Sequence, residues 1–147
     1  MKAELESALG SRFGLAFRYR QRATPETMPT GLPELDVLTG GLPRGAITEI
    51  VGSASSGRSS LLVSILAAAT AQEEVCALVD TSDTLNPASA AQAGVDLDRL
   101  LWIRCAGNAE HALQAADWLL QGGGFGVVAL DLGDIPPFTA RRISLTS

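Results

Sequence analysis

Histidine, cysteine and aromatic residues are all scarce in this chain, and each shortage removes a class of chemistry. One histidine, His111, and two cysteines, Cys76 and Cys105, are too few for a zinc centre, a disulfide scaffold or a histidine-based catalytic triad. Both cysteines sit in apolar, strand-like runs and read as buried, reduced thiols of a cytosolic protein. His111 falls on a helix-like segment and reads as a surface residue. Charge is thin as well: 18% of residues are charged and the formal net charge is −5. That sign argues against a uniformly basic nucleic-acid-binding surface, while leaving room for a local basic patch. No apolar run reaches the ~18 residues of a membrane span. The start, Met1-Lys2-Ala3-Glu4-Leu5-Glu6, lacks the apolar core of a secretory signal. A cytoplasmic location is expected.

What is present is enough apolar material for one sizeable core, 46% of 147 residues. The chain divides into an arm, residues 1–30, and a body, residues 31–147. In the arm, Glu4–Leu9 is expected to form two helical turns ended by Gly10. Arg12, Arg18, Arg20 and Arg22 then interleave with Phe13, Phe17 and Tyr19, three of the chain's seven aromatics. Such a segment suits docking on a neighbouring subunit or on its own domain, contact with nucleic-acid phosphates and bases, or a mobile tail. Pro25 and Pro29 mark a linker.

From Gly31 the pattern becomes regular. Helices are expected over Leu32–Leu38, Ser59–Thr70, Pro87–Ala93 and Asn108–Gln121. Strands are expected over Ala46–Val51, Val75–Asp80, Leu100–Arg104 and Phe125–Asp131. These strands are near-continuous apolar runs, as in parallel strands buried on both faces. Strand–helix alternation predicts an open α/β fold, a mainly parallel sheet with helices on both faces.

The chemistry concentrates after the first expected strand. Gly52-Ser53-Ala54-Ser55-Ser56-Gly57-Arg58-Ser59 has the spacing of a phosphate-binding loop, with arginine where the motif has lysine. Glycines permit a tight turn whose N–H groups converge on one anion, and the following helix aims its positive end at the same place. Gly52, Ser55, Ser56, Gly57, Arg58, Ser59 and Ser60 are therefore the candidate phosphate-binding residues. Arginine keeps the charge but not the compact point geometry of lysine, so polyphosphate binding is compatible with it and phosphoryl transfer is poorly served. Ser59 would offer a hydroxyl to Mg²⁺. Asp131, closing the apolar run Val127-Val128-Ala129-Leu130, is the candidate carboxylate on the metal side. Asp80 and Asp83 are weaker candidates for that role.

The order of segments from Thr30 to Asp131 resembles the ATPase core of the RecA recombinase family. The pieces that carry the resemblance are T-G-L-P-E-L-D, G-G-L-P-R-G-A-I-T-E-I-V-G, S-S-G-R-S-S-L, A-L-V-D-T-S-D-T-L-N-P, A-G-V-D-L-D-R-L-L and V-V-A-L-D. The resemblance implies a RecA-like P-loop core, ATP and Mg²⁺ as cofactors, self-association into filaments or rings, and DNA as a partner. It also places the arm where such proteins carry an oligomerisation helix. The strand between the phosphate-loop strand and the Asp131 strand would, by the same resemblance, come from sequence after Ser147, so the C-terminal part of the core is expected to be missing. The remaining segment, Ile135–Ser147, carries Pro136-Pro137 and Arg141-Arg142 and does not resemble the family's DNA-binding loops.

Departures from the family pattern fall on functional positions. The phosphate-loop lysine falls on Arg58, and the proline usual after the loop's first glycine on Ser53. The carboxylate that activates the hydrolytic water falls on Ser82, which cannot take a proton at neutral pH, leaving Asp83 as the nearest catalytic substitute. The aromatic that stacks on adenine falls on Ser89. The expected function is a RecA-like ATP-binding protein of DNA recombination and repair or the SOS response, with weak or no hydrolysis. The alternative is a non-catalytic RecA-fold interaction module whose loop is a relic. Partners are expected through the arm or the open sheet.

Overall fold

The computed structural model describes Glu4 and residues 26–134. Of the helix expected over Glu4–Leu9, Glu4 is helical and the rest lies outside the described residues, as do the Arg/aromatic run and Ile135–Ser147.

The body begins with strand β1, Thr27–Met28, paired antiparallel with β2, Leu42–Pro43. Helix α1, Pro33–Thr39, lies between them. Pro33 opens it, where a fixed φ and a missing N–H cost nothing, and Gly40 closes it at φ +79° with its N–H on the Asp36 carbonyl. Asp36 also accepts from the Thr30 N–H at 2.9 Å and the Thr30 hydroxyl at 2.7 Å, fixing the entry into the helix. Gly41 runs against Met28; a β-carbon there would lie 2.6 Å from the Met28 carbonyl oxygen. Met28, in the stretch read from sequence as linker, is a buried core residue.

The main sheet is parallel. Its centre is β3, Cys76–Asp80, flanked by β4, Leu100–Arg104, and β5, Val127–Asp131. Cys76 pairs with Leu100 on one side and Val127 on the other, and Asp80 with Arg104 and Asp131. All five residues of β3 are buried, which explains its unbroken apolar run. Helices α2, Arg58–Ala71, and α3, Pro87–Gln92, cover one face through Ile65, Leu66, Ala69 and Ala90 packed with Cys76, Val95 and Met28. Helix α4, Ala109–Gly122, covers the other, where Ala112 and Ala116 let it approach Val79 and Cys105 closely. Helices thus lie on both faces, as expected. Asn86 and Asn108 cap α3 and α4, each accepting from the N–H three residues on.

The strand ends are joined by main chain. The Thr81 N–H donates to the Asp131 carbonyl, the Cys105 N–H to Asp80 and the Gly107 N–H to Thr81, at 3.0, 3.0 and 2.7 Å. The cysteines are free and buried, and burial pushes the Cys76 thiol up to about 11. No described helix is long and apolar enough to cross a membrane.

The strand expected over Ala46–Val51 does not form. Among the described residues it has no ladder partner, and Ile47 and Val51 are 95% and 80% exposed. A strand is held by ladder hydrogen bonds to a neighbour, and among the described residues this segment has none.

Candidate functional site

The Gly52–Ser59 loop leads into α2 through backbone conformations that few residues adopt. Ser55 has φ +62° and Gly57 φ +94°, both left-handed. A β-carbon at Gly52 would collide with the Ser56 hydroxyl, so the loop folds back tightly on itself. The Ser56 N–H closes a turn on the Ser53 carbonyl at 3.2 Å, and the Leu61 N–H begins the helical ladder on Gly57 at 2.9 Å. Gly57 is the N-cap of α2 and brings no side chain to cap it. The first-turn amides, those of Arg58, Ser59 and Ser60, therefore point outward without a side-chain acceptor, at the positive end of a 14-residue helix. This is the donor arrangement that a phosphate oxygen satisfies.

Beside this helix end lies a cavity of about 500 Å³. Its polar lining includes Ser59, Ser60, Thr84, Asn86, Ser89 and Asp131; Leu78, Leu85, Ala90 and Ala93 form apolar wall. The volume is within the range of small-ligand sites. The structure thus brings Ser59, Ser60 and Asp131, candidates from distant parts of the sequence, to one cavity. Asp131 is oriented within it: its Oδ1 accepts the Gly133 N–H at 2.9 Å and its Oδ2 the Thr84 hydroxyl at 3.3 Å. A serine hydroxyl and a carboxylate are hard oxygen donors, fit for Mg²⁺. No group of three or more His, Cys, Asp or Glu side chains placed to hold a metal exists among the described residues. Any cation here would draw its further ligands from phosphate and water.

Other candidates lie differently. Arg58 reaches sideways, its Nη2 3.6 Å from Oδ1 of Asp134. Asp83 does not line the cavity. It is held by Arg104, whose Nε donates to Oδ1 at 2.5 Å and whose Nη2 donates to Oδ2. Those hydrogen bonds hold the Asp83 carboxyl below its ordinary range, which makes it a poorer proton acceptor. Arg104 itself lies 4.9 Å over the Trp102 ring. Asp80, at the end of β3, is fully buried and accepts from the Leu85 N–H at 3.0 Å, the Thr84 N–H at 3.2 Å and the Trp102 indole at 3.2 Å. It organises the Thr84–Leu85 cavity wall. Ser82 stands against Gly133, where a β-carbon would collide with its hydroxyl. Ser53 and Ser89 fall in the loop turn and on α3.

Sequence reasoning missed Thr84, Gly133 and Asp134. The spacing Asp131-Leu132-Gly133-Asp134 carried a signal for the last two, since an aspartate followed by glycine two residues on favours a side-chain-to-backbone turn.

Taken together, the described body is an open parallel α/β protein whose candidate ligand crevice lies at the C-terminal ends of its strands. The model of the RecA N-terminal domain matches residues 3–135, and the chain belongs to the RecA family. It is 35% identical over 131 residues to Protein RecA of Bifidobacterium longum, covering 88% of this chain and 33% of that relative. Protein RecA of Rickettsia bellii is 34% identical over 131 residues, covering 88% of this chain and 38% of its own length. Against Protein RecA of Brucella anthropi, identity is 41% over 108 residues, 72% of this chain and 30% of the relative. The chain spans about a third of the length of these relatives.

Proposed function

We propose that this chain binds ATP with Mg²⁺ as a RecA-family protein of DNA recombination and repair or the SOS response, with little or no hydrolysis. The observation that carries the reading is the uncapped start of α2, set behind left-handed Ser55 and Gly57 and opening on the cavity that Asp131 also lines. The amides of Gly57 to Ser60 take the phosphates, Gly52, Ser55 and Ser56 hold the loop's shape, and Arg58 supplies positive charge. Ser59 and Asp131 would hold the metal, which would supply positive charge against the phosphates. Leu85, Ala90 and Ala93 would offer the nucleoside an aliphatic wall, with Ser89 where the family's stacking aromatic would stand. Hydrolysis needs a group that orients and deprotonates water. Ser82 has no such basicity, and Asp83 is tied to Arg104. Self-association or another protein partner would use the arm or the edge of β5 that no described strand occupies, with DNA engaged through the assembly.

The test is calorimetric titration with Mg²⁺ and a slowly hydrolysed ATP analogue. Saturable micromolar binding, weakened about tenfold or more by Arg58→Ala, is expected, because a charge-assisted contact to phosphate is worth roughly 1.5–3 kcal/mol. Absence of heat up to millimolar nucleotide would favour the second reading, a RecA-fold interaction module. The pairing of Arg58 with Asp134 is the observation on that side.

A further inference from the structure

Both charged groups of the candidate site are already engaged by the chain's own atoms, and one short turn accounts for it. Asp131 ends β5 and accepts the Gly133 N–H, so the chain doubles back immediately after the strand. Gly133 takes φ +63° and passes so close to Ser82 that a β-carbon there would collide with its hydroxyl oxygen and force it aside. With Gly133 pinned in this way, the next residue is delivered to the phosphate loop. Asp134 Oδ1 lies 3.6 Å from Arg58 Nη2, with the aspartate side chain 87% exposed and the arginine 36% exposed.

We propose that Asp134 is a built-in competitor for the phosphate site, a carboxylate that occupies the guanidinium of Arg58 and must give it up when a polyphosphate binds. This rests on the nucleotide-binding reading above. An anionic oxygen beside Arg58 is what a phosphate would also present. The pair suits displacement: it is exposed, screened by water and longer than a hydrogen bond, so a multiply charged ligand outcompetes a single carboxylate. The turn also couples the two halves of the site. The Asp131 carboxylate proposed for the metal also accepts the Gly133 N–H, so it shapes the turn that carries Asp134 and ties the two halves of the site together.

The experiment is titration of the full chain with inorganic triphosphate in the absence of Mg²⁺, comparing wild type, Asp134→Asn, Arg58→Ala and Glu49→Gln. Glu49 lies upstream of the loop and makes no ion pair with Arg58, so it controls for net charge. Asp134→Asn is expected to bind triphosphate about two- to fivefold tighter than wild type, the range that loss of an exposed ion pair allows, with Glu49→Gln unchanged. Equal affinity of wild type and Asp134→Asn, with Arg58→Ala weaker than both, would overturn the competitor and leave the phosphate site standing. Equal tightening by Asp134→Asn and Glu49→Gln would also overturn it, by reducing the effect to net charge. No binding by any form at millimolar triphosphate would remove the phosphate site itself, and the competitor with it.

Discussion

Glu74 is held from two directions. Arg44 donates to it through Nη1 at 3.0 Å and Nη2 at 2.5 Å, and Gly126 leaves the space its carboxylate needs. The pair fastens the β1–β2 ladder to the N-terminal ends of β3 and β5. Hydrogen bonding from Arg44 lowers the Glu74 pKa against the opposing effect of burial. A folded-state pKa below the unfolded value, about 4.3, gives stability that is present above that value and lost as pH falls through the folded one. Arg44→Leu should therefore cost about 1–2 kcal/mol near neutral pH. It should cost less on acidification, as wild type loses the same contribution. Urea denaturation of both proteins from pH 6 down to about pH 3 measures this; parallel stability curves would refute it. No part of the pair was legible in the sequence, because its partners stand 30 residues apart in unrelated patterns. Asp80 is instructive in the same way. Its place after an apolar strand suggested a metal-side role, yet its oxygens are taken by Leu85, Thr84 and Trp102. Strand-terminal aspartates look alike in one dimension; their hydrogen-bond donors separate them.

Elements were far more legible than partners. The helices over Pro33–Thr39, Arg58–Ala71, Pro87–Gln92 and Ala109–Gly122 fall within a residue of the bounds read from capping and apolar patterning. Leu100–Arg104 was read outright. The short β1–β2 ladder escaped because two-residue strands have no period to detect. Ala46–Val51 failed for a different reason: an apolar run reports a tendency to be buried, whereas a strand also requires a neighbour that sequence periodicity does not identify. Hydrogen exchange separates the two cases. Amides of residues 46–51 should exchange at nearly unprotected rates, while those of Cys76–Asp80, paired on both sides, should be the slowest of the sheet. Equal protection of the two segments would contradict the pairing described here.

For the whole molecule, the sequence conveyed the class: open, parallel and covered on both faces. It also conveyed a tight glycine–serine turn entering α2, which the left-handed Ser55 and Gly57 bear out as a turn; its phosphate-binding role belongs to the proposed function. It could not convey the cavity, which forms only when α2, α3 and the ends of β3 and β5 meet. Nor could it show the balance between buried and exposed apolar surface. Ile47 and Val51 are exposed in a segment that pairs with no described strand, and Trp118 and Leu120 are 65% and 66% exposed on α4. Surfaces of this kind promote association. Sedimentation velocity across a wide concentration range should show the average mass rising with concentration, and the double variant Ile47→Lys, Val51→Lys should move the distribution towards monomer. A wild-type mass independent of concentration would show that these residues do not mediate contact.

The main-chain bonds that continue past the strand ends have a consequence for how such a protein can change. Thr81, Cys105 and Gly107 are tied to Asp131, Asp80 and Thr81 through peptide groups alone. The spacing of the strand ends is therefore held by N–H and C=O groups that every residue type except proline carries, independently of the side chains that stand beside them. A lysine in place of Arg58 or an aromatic in place of Ser89 leaves those bonds intact, whereas Ser82, packed against Gly133, has little room for a larger side chain. The same property makes the domain a chassis for retooling: new chemistry can be installed at the first two positions while the strand ends stay put.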